Sequence, residues 1–250
     1  MELMGKTAVI TGSGSGLGFA IARSLHQEGV RLVLIGRDMA KLDRARDALG
    51  TGTIVTADLL DHDERERLVA LLLASDPPVD ILVNNAGTMQ YFALTAPDAW
   101  ARLDAEIELD FRATAHLATA LLPHLLARPQ AAIVNVTTGL VYTPFGAAPG
   151  YGAAKAGLHA FTRSLRWQTK GSGLGVLEVL PPTLNTGMST HYEGRKLEPA
   201  DVAATIVKAL ARGTEEIRLG QAKLLYAMSR IAPDLIFRVL NNAAERAVHR

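Results

Sequence analysis

Short apolar segments alternate with longer helical segments along most of the chain, and this alternation is what most restricts its possible folds. Residues 79–83 (VDILV) and 131–136 (AAIVNV) are apolar almost throughout, rather than at every second position. Strands of this kind are typical of a parallel sheet that helices cover on both faces. The sequence therefore predicts an α/β protein with right-handed crossovers and a three-layer, doubly wound parallel sheet of about seven strands.

The predicted elements follow one another without a linker, repeat or low-complexity segment. The predicted strands are Thr7–Thr11, Arg31–Ile35, Thr53–Thr56, Ile81–Asn84, Ala132–Val136, Gly175–Leu180 and, more weakly, Glu216–Leu219. The predicted helices are Gly16–Gly29, Met39–Leu49, Asp61–Ala74, Pro97–Ala127, Tyr151–Thr169 and Pro199–Arg212. We therefore expect one domain, residues 1–220, which continues into a C-terminal extension, residues 221–250.

The extension contains two amphipathic segments on either side of Pro233. Apolar residues recur in both segments at helical spacing, which predicts two helices. Three interpretations stay open: packing onto the domain or a neighbouring subunit, a lid over an active site, or contact with a membrane surface. An excess of Lys and Arg over Asp and Glu in this segment suggests the last of these.

The composition argues against several functional classes. With 26 Lys and Arg against 25 Asp and Glu, the chain has no overall charge that would attract nucleic acid. There is no cysteine, which excludes disulfides and thiol catalysis and agrees with a reducing compartment. We see no signal peptide, and no apolar run reaches the ~18 residues of a membrane span. The seven histidines show no metal-ligand spacing. We expect a cytoplasmic protein without a metal.

A glycine-rich segment, residues 11–18 (TGSGSGLG), joins the first predicted strand to the first helix. Glycines let the backbone turn tightly and approach a pyrophosphate, and the helix N-terminus offers N–H donors. The spacing is T-G-x-x-x-G-x-G, not strict G-x-G-x-x-G, and no Gly-Lys-Ser/Thr of a P-loop is present. The sequence therefore predicts a dinucleotide site with contacts from Gly12, Ser13, Ser15, Gly16, Leu17 and Gly18.

The end of the second strand bears on which dinucleotide binds. An acidic residue here would bond a ribose 2′-hydroxyl, whereas Gly36 leaves room and Arg37 offers a cation to a 2′-phosphate. Asp38 is the competing signal, although it could instead cap the next helix. We expect NADP(H) in preference to NAD(H).

Tyr151 and Lys155 are four residues apart in a predicted helix, so their side chains share one face. A nearby ammonium stabilises a phenolate and lowers the pKa of the phenol, which would suit proton exchange. Most isolated Tyr-x-x-x-Lys pairs lie on helix surfaces, so the pair gains meaning only from the rest of the chain.

Together these motifs resemble the classical short-chain dehydrogenase/reductase family over about residues 5–220. The third motif is residues 84–87 (NNAG), after the fourth strand. The resemblance implies a Rossmann fold, a hydride transfer between NADP(H) and a small molecule, and assembly into a homodimer or homotetramer. It implies catalytic roles for Tyr151, Lys155, Thr138 and Asp110. It implies cofactor contacts, beyond the glycine segment and Arg37, from Asp58, Leu59, Asn85, Ala86, Gly87, Tyr151, Lys155, Pro181 and Thr186.

Three positions differ from the family pattern. Thr138 stands where serine is usual, Asp110 where asparagine is usual, and Pro182 where glycine follows Pro181. Threonine keeps the hydroxyl, whereas aspartate adds a charge that could pair with Lys155. The second half also resembles a bacterial branch named for D-alanine esterification of teichoic acid, a name that carries little information on substrate.

The segments around the implied nicotinamide site are apolar and aromatic. They predict a pocket for a bulky, partly hydrophobic ketone or alcohol, although ordinary loop packing would give the same composition. The candidate substrate residues are Met89, Tyr91, Leu140, Tyr142, Phe145, Met188, His191 and Tyr192. Two other functions stay open: a reaction without net redox change (epimerisation, cyclisation or dehydration) and a non-catalytic nucleotide-binding scaffold.

Overall fold

A computed structural model describes residues 1–189 and 194–248, with side chains described as far as residue 242. The strands are β1 Thr7–Thr11, β2 Arg31–Gly36, β3 Thr53–Thr56, β4 Ile81–Asn84, β5 Ala131–Val136, β6 Leu174–Leu180 and β7 Glu216–Arg218. They form one sheet in the order β3-β2-β1-β4-β5-β6-β7, and all neighbouring strands are parallel. The predicted parallel sheet is confirmed.

Helices cover both faces of this sheet. They are α1 Gly16–Gln27, α2 Met39–Leu49, α3 His62–Leu73, α4 Ala99–Ile107, α5 Thr114–Leu126, α6 Pro149–Gln168, α7 Pro199–Ala211, α8 Gln221–Ile231 and α9 Pro233–Val248. One apolar core joins the sheet to α1, α2 and α7, and the other joins it to α3, α5 and α6. The predicted three-layer architecture is therefore confirmed.

The single helix predicted over residues 97–127 is interrupted. Between α4 and α5, residues Glu108–Ala113 form a π-helical turn. The insertion of a wider turn rotates the side chains beyond it relative to a continuous α-helix. Asp110 lies inside this turn and is completely buried.

The strand order reverses direction between β1 and β4, which are neighbours in the sheet although three crossovers separate them in sequence. In open α/β sheets a crevice forms beyond the carboxyl ends of the strands at such a point. The glycine-rich segment follows β1 and residues 84–87 follow β4, so both motifs border this crevice.

The C-terminal extension forms the two expected helices, and α8 packs against the domain. Ala222 of α8 is buried against the short helical turn Gly139–Tyr142, which follows β5. Gly139 is required at this contact, because a Cβ there would lie 2.8 Å from the Ala222 Cβ. Among the residues that the structure describes, no helix is long and apolar enough to span a membrane.

Candidate active site

The glycine-rich segment forms a tight turn whose geometry depends on its glycines. Gly12 and Gly16 have positive φ angles of +67° and +56°, a conformation that favours glycine. A Cβ on Gly12 would lie 2.9 Å from the Ala86 Cα, and a Cβ on Gly18 would collide with the Gly12 carbonyl oxygen. Ser15 is the N-cap residue of α1. The first turn of α1 is therefore held close to β1, as a pyrophosphate site requires.

Hydrogen bonds join the end of β4 to the end of β1. The Thr11 hydroxyl accepts bonds from the backbone N–H groups of Asn85 and Ala86, both at 3.0 Å. The Asn85 side-chain amide donates in return to the Thr11 carbonyl oxygen at 3.0 Å. Ser13 is buried, and its hydroxyl donates to the Ile35 carbonyl oxygen, so it holds the turn against β2. These contacts place residues 85–87 beside the glycine turn.

The remaining predicted cofactor residues follow the carboxyl ends of β3 and β6, and each makes a local structural contact. The Asp58 carboxylate accepts a bond from the Leu60 N–H at 3.0 Å. Leu59 is buried, and its carbonyl oxygen accepts a bond from Arg65. Thr186 lies against Gly16, with its Cγ2 3.3 Å from the position of a Cβ there. The Pro181 carbonyl oxygen accepts a bond from Gly139, beside Thr138.

Tyr151 and Lys155 lie on the buried side of α6, not on its surface. Tyr151 is 9% exposed and Lys155 is 4% exposed. The Lys155 Nζ lies 5.9 Å from the centroid of the Tyr151 ring, and it donates a bond of 3.0 Å to the Val136 carbonyl oxygen. Thr138, at the carboxyl end of β5, is also buried. The three side chains therefore meet at one edge of the sheet.

Asp110 forms an ion pair with Lys155. Its Oδ1 lies 3.2 Å from the Lys155 Nζ, and both its oxygens accept from the Thr88 N–H at 3.2 Å. Burial raises the pKa of Asp110, while the Lys155 ammonium and the Thr88 N–H oppose that rise. A Cβ on Gly87 would collide with the same carboxylate, so glycine admits Asp110 to the site. The carboxylate provides Lys155 with a counterion that asparagine would not supply.

Burial has a strong effect on the phenol of Tyr151. It raises the pKa of Tyr151 far above the ordinary value of 10.0, and the charge of Asp110, or of Glu106 whenever Glu106 is ionised, raises it further, whereas the Thr138 hydroxyl lowers it. Tyr151 therefore holds its proton at neutral pH in the protein alone. This opposes the simplest expectation from the sequence, a lowered pKa, because burial disfavours the charged phenolate.

A cleft of about 930 Å³ opens at the ends of β2 and β3. Its walls include Arg37, Asp58 and Arg67, and Arg67 is a second cation that the sequence did not point out. Asp38 also borders the cleft, but its carboxylate caps α2 by accepting from the Lys41 N–H at 3.1 Å. That bond is the largest cause of the lowered pKa of Asp38.

The predicted substrate residues are only partly brought together. The rings of Tyr91 and Phe145 meet edge to face at 6.2 Å between centroids, while Met188 is 45% exposed. The Tyr142 hydroxyl bonds to Arg218 at 2.9 Å and to Glu216 at 3.2 Å. Met89 and Leu140 are half-buried. His191 and Tyr192 lie outside the described residues.

An asparagine of the C-terminal extension holds the loop before α6. The Asn241 Oδ1 accepts from the Gly146 N–H at 2.6 Å, and its Nδ2 donates to the Pro144 carbonyl oxygen at 3.0 Å. The amide thus satisfies two backbone groups of the loop that carries Phe145, which is one of the candidate substrate residues.

Asn241→Ala should release this loop. One lost hydrogen bond of about 0.5–1.5 kcal/mol corresponds to roughly 2- to 10-fold faster hydrogen exchange at the Gly146 amide. Hydrogen–deuterium exchange followed by mass spectrometry measures this change. Asn242→Ala, an exposed neighbour, is the matched control. Equal exchange at Gly146 in both variants would show that Asn241 does not hold the loop.

In the described part of the chain, metal-ligating side chains do not form a cluster. No group of three or more His, Asp or Glu side chains there could bind a metal ion. The polar groups that converge on the crevice are instead a phenol, an ammonium, a hydroxyl and a carboxylate, which are suited to proton transfer.

Comparison with known proteins agrees with this geometry. Residues 6–196 match the short chain dehydrogenase family model. The chain is 32% identical to the uncharacterized oxidoreductase DltE of Bacillus subtilis (strain 168), over 96% of this chain and 98% of that protein. A short chain dehydrogenase/reductase from Burkholderia phymatum in complex with NAD has a TM-score of 0.82 and 25% identity, over 94% of this chain and 95% of that one. One from Sphingobium yanoikuyae in complex with NADPH has a TM-score of 0.79 and 25% identity, over 92% and 95% respectively.

Proposed function

The chain belongs to the short chain dehydrogenase family, in the branch that resembles DltE of Bacillus subtilis, and on this premise we propose that it is an NADP(H)-dependent oxidoreductase that interconverts a ketone and a secondary alcohol. The observation that carries this proposal is the meeting of Tyr151, Lys155 and Thr138 at the carboxyl ends of the strands. Turnover of ketones with NADPH, and its loss on Tyr151→Phe, tests the function.

The residues at the crevice fit a nicotinamide dinucleotide. Gly12 and Gly18 let the glycine segment pack closely against its own backbone and against Asn85 and Ala86, and the N-terminus of α1 supplies donors for a pyrophosphate. When bound, the cofactor would supply or accept a hydride. Its contacts would come from the glycine segment, Asn85 to Gly87, Lys155 and the Pro181 to Thr186 segment, which all border the crevice.

The protein's own part in the reaction is proton transfer. In reduction, Tyr151 would donate its phenolic proton to the carbonyl oxygen, while the Thr138 hydroxyl donates a hydrogen bond to the same oxygen. The ammonium of Lys155 would stabilise the phenolate that remains. In oxidation, the Tyr151 phenolate would take the proton of the alcohol. The raised pKa of Tyr151 supports the reductive direction at neutral pH, because the donor must be protonated at the start.

The cleft beyond β2 supports a preference for NADP(H) over NAD(H). Arg37 and Arg67 border it and offer two cations to a 2′-phosphate. Two carboxylates on the same walls, those of Asp58 and Glu64, accept backbone N–H groups of Leu60 and Asp58, respectively. The competing carboxylate of Asp38 is used as the N-cap of α2. In the known structures, one relative carries NAD and another NADPH, so relatives alone do not decide between the cofactors.

Arg37→Ala should weaken the binding of NADPH and leave that of NADH unchanged. A hydrogen bond to a charged group contributes about 1.5–3 kcal/mol, which corresponds to roughly 10- to 100-fold in Kd. Fluorescence titration of each cofactor measures the two constants. Arg46→Ala is the control, because Arg46 pairs with Asp43 and Asp47 on α2 outside the cleft. Equal losses for NADPH and NADH would contradict recognition of a 2′-phosphate.

The substrate side supports a bulky, partly hydrophobic small molecule. Tyr91 and Phe145 form an aromatic pair there, and the neighbouring Met89 and Leu140 are apolar. Assembly into a homodimer or homotetramer is part of the same proposal. Trp167, which is 77% exposed on α6, is a candidate contact residue in such an assembly.

A second candidate function keeps the same site without net redox change, as in an epimerisation, a cyclisation or a dehydration. The pairing of Asp110 with Lys155 favours it, because the counterion alters how protons reach Tyr151. Absorbance of NADPH discriminates the two functions: substrate turnover at constant NADPH absorbance supports the second, and stoichiometric loss of absorbance supports the first.

A further inference from the structure

Glu106 is a fully buried carboxyl group one turn before Asp110, and the proton transfer described above does not use it. It is 0% exposed, at the end of α4. Its Oε1 accepts a bond of 2.7 Å from the Gln90 N–H, while its Oε2 is buried without a hydrogen-bond partner. Burial of an ionised carboxylate with an unpaired oxygen is costly, whereas a neutral carboxyl group is tolerated more easily.

The first turn of α6 is shaped around this carboxyl group. A Cβ on Gly150 would collide with the Glu106 Oε2, so glycine at this position lets the carboxyl group lie against the helix that carries Tyr151. Tyr151 is the next residue, and its backbone N–H is close enough to lower the pKa of Glu106. Glu106 therefore lies beside the backbone of the proton donor, not at a distant point of the core.

The charges around Glu106 are already balanced without it. Lys155 on α6 pairs with Asp110 of the π-helical turn. The two neighbouring tyrosines, Tyr151 on α6 and Tyr91 in the loop before α4, are uncharged as phenols. Within residues 1–189 and 194–242, no cationic side chain forms an ion pair with Glu106. An ionised Glu106 would add a second, uncompensated negative charge next to Tyr151 and Asp110, where it would oppose formation of the Tyr151 phenolate.

We propose that Glu106 carries a proton in the working enzyme and acts as a positioning residue, keeping the buried site electrically neutral so that Tyr151 can give up its proton. The inference rests on the proposed function in so far as it concerns turnover, whereas the protonation of Glu106 stands independently of it. Loss of the Glu106 proton switches the site to a less active form.

The expected pH range agrees with this role. Burial, with a smaller contribution from the charge of Asp110, raises the pKa of Glu106 to about 7 against the opposing effect of the N–H groups of Gln90 and Tyr151. Because the folded protein binds this proton more tightly than the unfolded chain, Glu106 makes the fold less stable as pH rises between the ordinary value of 4.5 and about 7. Above that pH range, the loss of folding stability caused by Glu106 stays constant.

The experiment compares the full-length protein with Glu106→Gln, which has the same shape and no charge. In the infrared spectrum of the protein, the C=O band of a protonated carboxyl group should disappear as pH rises through about 7. Glu106→Gln should lack this band, and the control Asp104→Asn should retain it, since Asp104 is exposed on the same helix. The melting temperature of Glu106→Gln should exceed that of the parent progressively as pH rises.

Turnover supplies the second measurement, with NADPH and a ketone that the parent protein reduces. The parent kcat should fall as pH rises through about 7, and this decline should be absent in Glu106→Gln. If Glu106 had a purely structural role, the melting temperature of Glu106→Gln would be lower by the same amount at every pH. Its kcat would then depend on pH as that of the parent does. A titrating carboxyl band that persists in Glu106→Gln, or a parent protein without such a band, would overturn the inference.

Asp110→Asn provides an independent variant if Glu106→Gln does not fold. Removal of the Asp110 charge should shift the midpoint of the Glu106 band to lower pH, because that charge helps to hold the proton. An unchanged midpoint would also count against the inference. The infrared and melting measurements need no turnover. A protein that reduces no ketone but shows the titrating band would therefore refute the proposed function and leave the role of Glu106 as a proton holder intact.

Discussion

Tyr151→Phe should lower kcat for NADPH-dependent ketone reduction by roughly 10²- to 10⁴-fold, the range that a positioned acid or base contributes. Phenylalanine keeps the buried ring and its contact with Lys155 and removes only the phenolic proton. The fold and the dinucleotide site should therefore be preserved. Steady-state kinetics measures the loss, and fluorescence titration should give the same Kd for NADPH as the parent protein.

Tyr226→Phe is a suitable control for the loss of a hydroxyl. Tyr226 lies on α8, where its ring packs under the Arg218 guanidinium at 3.8 Å and against the Tyr142 ring at 5.0 Å between centroids. The Tyr226→Phe variant should reduce ketones at the same rate as the parent protein. Undiminished activity of Tyr151→Phe would refute the proposed mechanism. A parent protein that binds NADPH but acts on neither a ketone nor an alcohol panel would refute the proposed function itself.

The sheet could be predicted from the sequence because its determinants are local. A strand buried on both faces is apolar at consecutive positions, so β1 and β4 begin and end at the predicted residues. The strand order β3-β2-β1-β4-β5-β6-β7 comes from the structure, and it agrees with the predicted crossover connections of a doubly wound sheet. The π-helical turn could not be predicted, since residues 97–127 carry an unbroken helical pattern and a wider turn leaves no mark in it.

The site was predicted only where its chemistry lies in a motif. Glu106 belongs to the segment EIELD (residues 106–110), whose acidic spacing is typical of an exposed helix face. Only the three-dimensional packing of α4 on Gly150 reveals that it is buried. Asn241 is likewise a polar residue of an amphipathic helix, and its bond partners are nearly a hundred residues away in sequence. Contacts of this range depend on the tertiary structure.

The ion pair between Asp110 and Lys155 should make a large contribution to stability. Asp110→Ala would leave a buried ammonium with only the Val136 carbonyl oxygen as a partner. Such a change costs about 3–5 kcal/mol in the free energy of unfolding. Asp110→Asn keeps an acceptor for the Thr88 N–H and should cost less. Urea unfolding at fixed pH measures both, with Asp104→Ala on the exposed face of α4 as the control. Equal midpoints for Asp110→Ala and Asp104→Ala would contradict a stabilising pair.

The same substitution should change the pH dependence of alcohol oxidation. The Asp110 carboxylate raises the pKa of Tyr151, so Asp110→Asn should lower it and leave the charge of Lys155 uncompensated beside the phenol. Oxidation requires the phenolate as base, and its rate should therefore rise at lower pH in Asp110→Asn than in the parent protein. A profile of kcat against pH with NADP⁺ and an alcohol measures the shift. A shift to higher pH, or none, would show that Asp110 does not act on Tyr151 through its charge.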